Sequence, residues 1–129
     1  MKAISVPQLE AWLIIHGHLH LLNRPRNIAL RGRVLIYAED SYGDEDEQHE
    51  HYSALFPDLT IPDFFEHGGI VGQAVIDDCV AFDASPLFEG PYALVLRHAA
   101  PTTYYRCRND GSFLFDVSDN DLRIIGIRD

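Results

Sequence analysis

Several things are scarce in this chain, and each scarcity excludes something. Cysteine occurs twice, at Cys79 and Cys107, too seldom for a disulfide framework and at the wrong spacing for a zinc knuckle. The pair reads as reduced, partly buried thiols of a cytoplasmic protein. No run approaches the ~20 apolar residues needed to span a bilayer, so the expected partners do not include a membrane. The opening MKAISVPQLEAWLII has a lysine and an apolar stretch, but Pro7 and Glu10 interrupt it and no small-residue cleavage site follows. It reads as a structural helix rather than a signal peptide. Positive charge is also short: ten Lys and Arg stand against 20 Asp and Glu, a net charge of −10, which disfavours a generic polyphosphate partner.

What remains is the composition of an ordinary globular domain, and 129 residues make one domain, residues 1–129, with a sizeable core. Charge is unevenly spread. Arg24, Arg26, Arg31 and Arg33 fall within ten residues, a candidate phosphate-facing patch. Seven carboxylates then crowd the stretch from Glu39 to Glu50, which reads as a solvated acidic loop at about 39–51 and a possible contact for a protein partner.

Local patterns set out the elements. Ser5 with Gln8 fits a capping box and Pro7 suits a first helical turn. Leu9, Trp12, Leu13 and His16 keep helical spacing, and Gly17 is placed to end the helix in a left-handed cap. HLHLL is extended, NRPRN turns, and RGRVLIYA is a strand. Residues 51–67 read as a short helix or an ordered loop laying Phe56, Phe64 and Phe65 on the core. GGIVGQAVIDDCVAF is a long strand in which Gly69 and Gly72 mark a bend. YALVLRHA is a buried strand, TTYYRC an extended edge, NDG a turn, and SFLFDV and LRIIGI two closing strands. One early helix followed by five or six strands predicts an α+β fold, a small mixed β-barrel with one N-terminal helix and one or more short helices at its side.

His16, His18 and His20 alternate along the chain, a pattern that in a single strand would aim all three to one side, as zinc ligation needs. Here they straddle a helix-to-strand junction, so the alternation does not put them on one element. His18 and His20, and the pair His49 and His51 among the carboxylates, are the only candidate metal ligands, and surface histidines are the competing reading. No motif calls for a cofactor.

The order ISVPQLEAWLIIHGH, NRP, RGRVLIYA, GGIVGQAVIDDCV, SPLFEGPYALVLRHAAP resembles an ASCH domain of the PUA-like superfamily from about Ile4 to about Phe115. RGRVLIYA, GGIVG and FEGPYALVL are its most specific parts. The resemblance implies a β-barrel with flanking helices and a cleft between the first helix and the barrel. It also implies binding of RNA or other single-stranded nucleic acid, or of a modified nucleoside, with ribonuclease and acetylcytidine amidohydrolase activities among relatives. The family motif G-x-K-x-x-E-x-R falls on GHLHLLNR. Gly17 and Arg24 match it, while Leu19 stands at the lysine and Leu22 at the glutamate.

That departure removes the ionisable amine and its neighbouring carboxylate together. A leucine neither deprotonates water nor stabilises an oxyanion, so catalysis by the family lysine is not expected, and His18 and His20 are the weak substitutes. The expected role is binding of nucleic acid or a nucleotide-like ligand. A hydrolase working through another residue and an interaction module built on the acidic segment are the alternatives. Candidate binding residues are Asn23 for a base edge, Arg24 and Arg26 for phosphate, and Tyr37, Phe88 and Tyr92 for stacking on an unpaired base. Asn23 and Arg24 have structural alternatives, as turn cap and turn tie, and the aromatics as core. If Leu19 and Leu22 fill the cleft instead of lining it, ligand binding at the motif loses its floor.

Overall fold

A computed structural model describes residues 1–40 and 45–128, Glu45 by its backbone alone. Nine elements follow one another: β1 (Lys2–Val6), α1 (Gln8–Ile15), β2 (Leu21–Arg24), β3 (Gly32–Ala38), α2 (Glu45–Leu55), β4 (Gly69–Val80), β5 (Tyr92–Arg106), β6 (Leu114–Asp116) and α3 (Asp119–Ile125). The strands form one mixed sheet in the order β2-β5-β4-β3-β1-β6. Only β1 and β3 run parallel, and the other pairs are antiparallel.

Both faces of this sheet are covered, which is why VLIYA in β3 is a continuous apolar run rather than an alternation. Ile4, Val6, Val34 and Ile36 point to the side of α1, where Leu13, Ile14, Leu19 and Leu22 complete a core. Their neighbours Ala3, Leu35 and Tyr37 point the other way, onto Leu122 and Ile125 of α3. Helix α1 is buried nearly all round and lies close to the sheet because position 72 is glycine. A Cβ there would collide with Ile15 and come within 2.7 Å of the Ala100 carbonyl. The pairing of β4 with β5 shifts register between Ile70 and Gly72, the bend that Gly69 and Gly72 announce.

The α+β class stands, with corrections. The sheet does not close into a barrel. Its edges β2 and β6 are four and three residues long, and in place of a ladder the guanidinium of Arg24 lies over the Phe113 ring, 3.7 Å from its centroid. The chain starts with a strand, and Ser5 belongs to it, hydrogen-bonding Glu39 instead of capping α1. Pro7 precedes the first turn without any side-chain cap. LRIIGI is helical, not a strand: the Ser118 hydroxyl accepts from the Asp121 amide at its start, and Gly126 closes it with φ +88°, so a cap at each end outweighs the β-branched pair. The acidic segment becomes helix from Glu45, where carboxylates in the first turn suit the helix dipole, and Tyr52, Leu55 and Phe56 give it an apolar side. The part of the predicted loop at 41–44 lies outside the described residues. Phe56 and Phe65 pack on the core as expected, whereas Phe64 is 91% exposed.

Candidate functional site

The junction after α1 answers the question of the histidines. Gly17, at φ +79°, donates to the Ile14 carbonyl and the His18 amide donates to Leu13, a Schellman ending. The backbone reversal lays both neighbouring imidazoles on the chain's single tryptophan. His16 lies 5.0 Å and His18 5.6 Å from Trp12, centroid to centroid. His20 is exposed. Among the described residues no three His, Cys, Asp or Glu side chains converge as a metal site. His49 meets Ser53, and His51 meets Glu89.

Leu19 and Leu22 are both 2% exposed and belong to the core under α1. They fill the place where the motif has its ionisable pair. Polarity returns just beyond them. A cleft of about 560 Å³ opens beside β2, lined by Glu10, Asn23, Glu47, His51, Tyr52 and Glu89 among others. Three elements build it: α1 supplies Glu10, α2 supplies Tyr52 and His51, and the segment before β5 supplies Glu89. Asn23 fixes that segment. Its Nδ2 donates to the Leu87 carbonyl (3.0 Å) while its Oδ1 accepts from the amides of Glu89 (2.8 Å) and Gly90 (3.2 Å). The His51 Nε2 lies 3.0 Å from a Glu89 carboxylate oxygen.

Glu10 is the carboxyl at the centre. Tyr52, itself buried, donates its hydroxyl to Glu10 Oε2 at 2.7 Å, and the other carboxyl oxygen accepts no hydrogen bond from a described residue. Burial pushes the Glu10 pKa above the ordinary carboxylate value. The Tyr52 bond opposes this, Glu89 and Glu39 add to it, and Arg24 pulls it back. Burial and the nearby Glu10 push the Tyr52 phenol up, so it stays a donor. Burial lowers Arg24, with Glu10 and Glu39 acting against that. A carboxyl whose pKa burial raises, beside a permanent donor, can accept from, or exchange a proton with, a group entering the cleft.

The structure distributes the sequence-derived candidates unevenly. Asn23 lines the cleft, yet its amide is spent on backbone. Arg24 stacks on Phe113 with its Nε buried and unpaired. Arg26 is exposed. Arg31 turns to the Ile28 and Leu30 carbonyls and to Asp78, and Arg33 to Gln73 and the Arg128 carbonyl, so the arginine cluster is not one open patch. Tyr37 is 5% exposed and packs edge-on against Phe115. Phe88 meets Phe82 edge-on. Tyr92 opens β5 opposite Arg24. Sequence reasoning missed Glu10, Tyr52 and Glu89. The available signal was Glu10 itself, a lone carboxylate inside an otherwise apolar helix.

An open mixed sheet sandwiched by helices, with a polar cleft beside the first of them, defines an α+β domain. Comparison with solved structures makes this specific. The ASCH protein of Zymomonas mobilis superposes with a TM-score of 0.55 at 17% identity, over 95% of this chain and 90% of that one. A tyrosine-to-phenylalanine variant of it gives 0.58 at 14% identity, over 95% and 94%. A serine-to-alanine variant gives 0.56 at 15%, over 95% and 92%. The fold is therefore that of ASCH domain proteins. No protein-family model and no curated protein sequence matches the chain.

Proposed function

We propose that this ASCH-type domain binds a nucleobase-bearing small ligand in the cleft between α1 and α2, without chemistry from the family lysine. The observation that supports this most is Glu10: a partly desolvated carboxyl, fixed on one oxygen by Tyr52 and open on the other, at the wall of a cavity large enough for a base. Carboxylates accept from the exocyclic amine of cytosine in groove recognition, and unpaired bases are generally read along such edges. The same lining disfavours a phosphate backbone, because Glu10, Glu47 and Glu89 face the cavity while Arg31 and Arg33 are engaged elsewhere. A nucleoside or modified base fits this charge better than an RNA chain.

Calorimetric titration with cytidine, adenosine, uridine and cytidine 5′-monophosphate tests the reading. Amine-bearing nucleosides bind, the monophosphate binds more weakly than its nucleoside, and Glu10→Gln weakens binding by about tenfold, as loss of a charge-assisted hydrogen bond does. Equal affinity of parent and Glu10→Gln for every nucleoside refutes it. A second reading draws on the same carboxyl. With its pKa raised by burial, Glu10 is a candidate for general acid–base work, making the domain a hydrolase of RNA or an acetylated nucleoside. Turnover abolished by Glu10→Gln and untouched by His20→Ala supports that version.

A further inference from the structure

The geometry points to a second binding site, for an oxyanion, in the groove where the end of β5 runs into residues 107–109. It lies apart from the Glu10 cleft and does not rest on the function proposed above. The groove is a cavity of about 560 Å³ lined by Tyr37, Asp40, Arg106, Cys107, Arg108 and Asn109, among others. Three of these groups supply donors with nothing to donate to. The guanidinium groups of Arg106 and Arg108 make no hydrogen bond or ion pair with any described residue. Elsewhere, in a chain of net charge −10, several cations are engaged: Lys2 with Asp116 at 2.9 Å, Arg97 with Asp77 at 2.8 Å, Arg31 with Asp78 at 3.6 Å, whereas Arg106 and Arg108 share one cavity. The third donor is the hydroxyl of Tyr37. Its ring is buried against Phe115, its side chain reaches this cavity, and its hydroxyl has no hydrogen-bond partner among the described residues.

Asp40 is the carboxylate that lines the groove, and one of its oxygens is 2.6 Å from the His67 Nδ1; Asp40 and Glu39 both lie close enough to Tyr37 to raise its phenol. Burial raises the Cys107 thiol above its usual value and the Tyr37 phenol likewise, so neither brings a negative charge at neutral pH. Two guanidinium groups and a phenol among the residues lining one cavity suit the oxygens of a phosphate group, and a carboxylate offers the same acceptors. Tyr37 thus takes a role other than base stacking, through its hydroxyl.

The test is an NMR titration of the ¹⁵N-labelled full chain with inorganic phosphate and, separately, with acetate. Saturable shifts are expected at Gly68 and at residues 106–109, and at Tyr37. Tyr37→Phe, which keeps the buried ring, and Arg106→Gln with Arg108→Gln each weaken phosphate binding by about three- to tenfold. Glu10→Gln and Arg123→Gln leave it unchanged, which separates this site from the cleft. Phosphate binding tighter than acetate assigns a phosphoryl ligand, and the reverse assigns a carboxylate; both support the site. Shifts that fail to saturate and are as large at Arg123 and Arg128, or a Tyr37→Phe chain that binds phosphate as the parent does, overturn it.

Discussion

The stretch Gly17–Arg24 and the cleft beside it are near neighbours with opposite chemistry. In the first, Leu19 and Leu22 are shut into the core. In the second, a carboxyl from α1 and a phenol from α2 face one another in reach of solvent. A charge pair half out of water is costly unless fully matched, and the leucines leave that segment dry and well packed. A single carboxyl with one fixed donor is a cheaper way to hold polarity at a cleft. The contrast shows that polar character at the cleft comes from the helices α1 and α2 and not from the stretch between α1 and β2.

Four measurements break or sharpen this contrast. The largest effect belongs to Leu19→Lys, which puts an ammonium on the sealed side without a partner. Chemical denaturation should show a loss of about 3–5 kcal/mol, and a nearly neutral result would mean the segment is open after all. Next, Asn23→Ala removes three hydrogen bonds that hold Leu87, Glu89 and Gly90, and a loss of about 1–3 kcal/mol is expected, with amide exchange quickening locally at residues 87–90.

Glu10→Gln probes the polar side through pH. Well below the ordinary carboxylate value both folded and unfolded chains carry the proton, so Glu10 favours neither. As pH rises through its raised folded value, the unfolded chain releases the proton first and stability falls. The variant should match the parent in acid and exceed it at neutral pH in urea melts taken across that range. A gap that does not change with pH would contradict the burial that raises Glu10. The smallest effect is that of Arg24→Ala, which removes the cation–π contact between the sheet edges: about 0.5–1 kcal/mol, read from the same melts.

Much of the fold could be read in advance. Apolar periodicity located α1, Gly17 its end, and long β-branched runs the strands β3, β4 and β5. The failures share a cause, in that short elements draw their identity from partners far along the chain. KAISV becomes a strand because β3 and β6 flank it, and DNDLRII becomes a helix because Leu122 and Ile125 bury against the sheet's second face. The cleft was hidden for the same reason, since Glu10 and Tyr52 stand 42 residues apart and neither belongs to a recognisable motif. Asn23 was found, but its amide serves the backbone.

Trp12 lies between the imidazoles that follow its helix, two residues from Glu10 and without another indole in the chain to blur it. The molecule therefore carries a native optical gauge, whose colour follows any shift of α1, so that events at the cleft can be watched without attaching a dye.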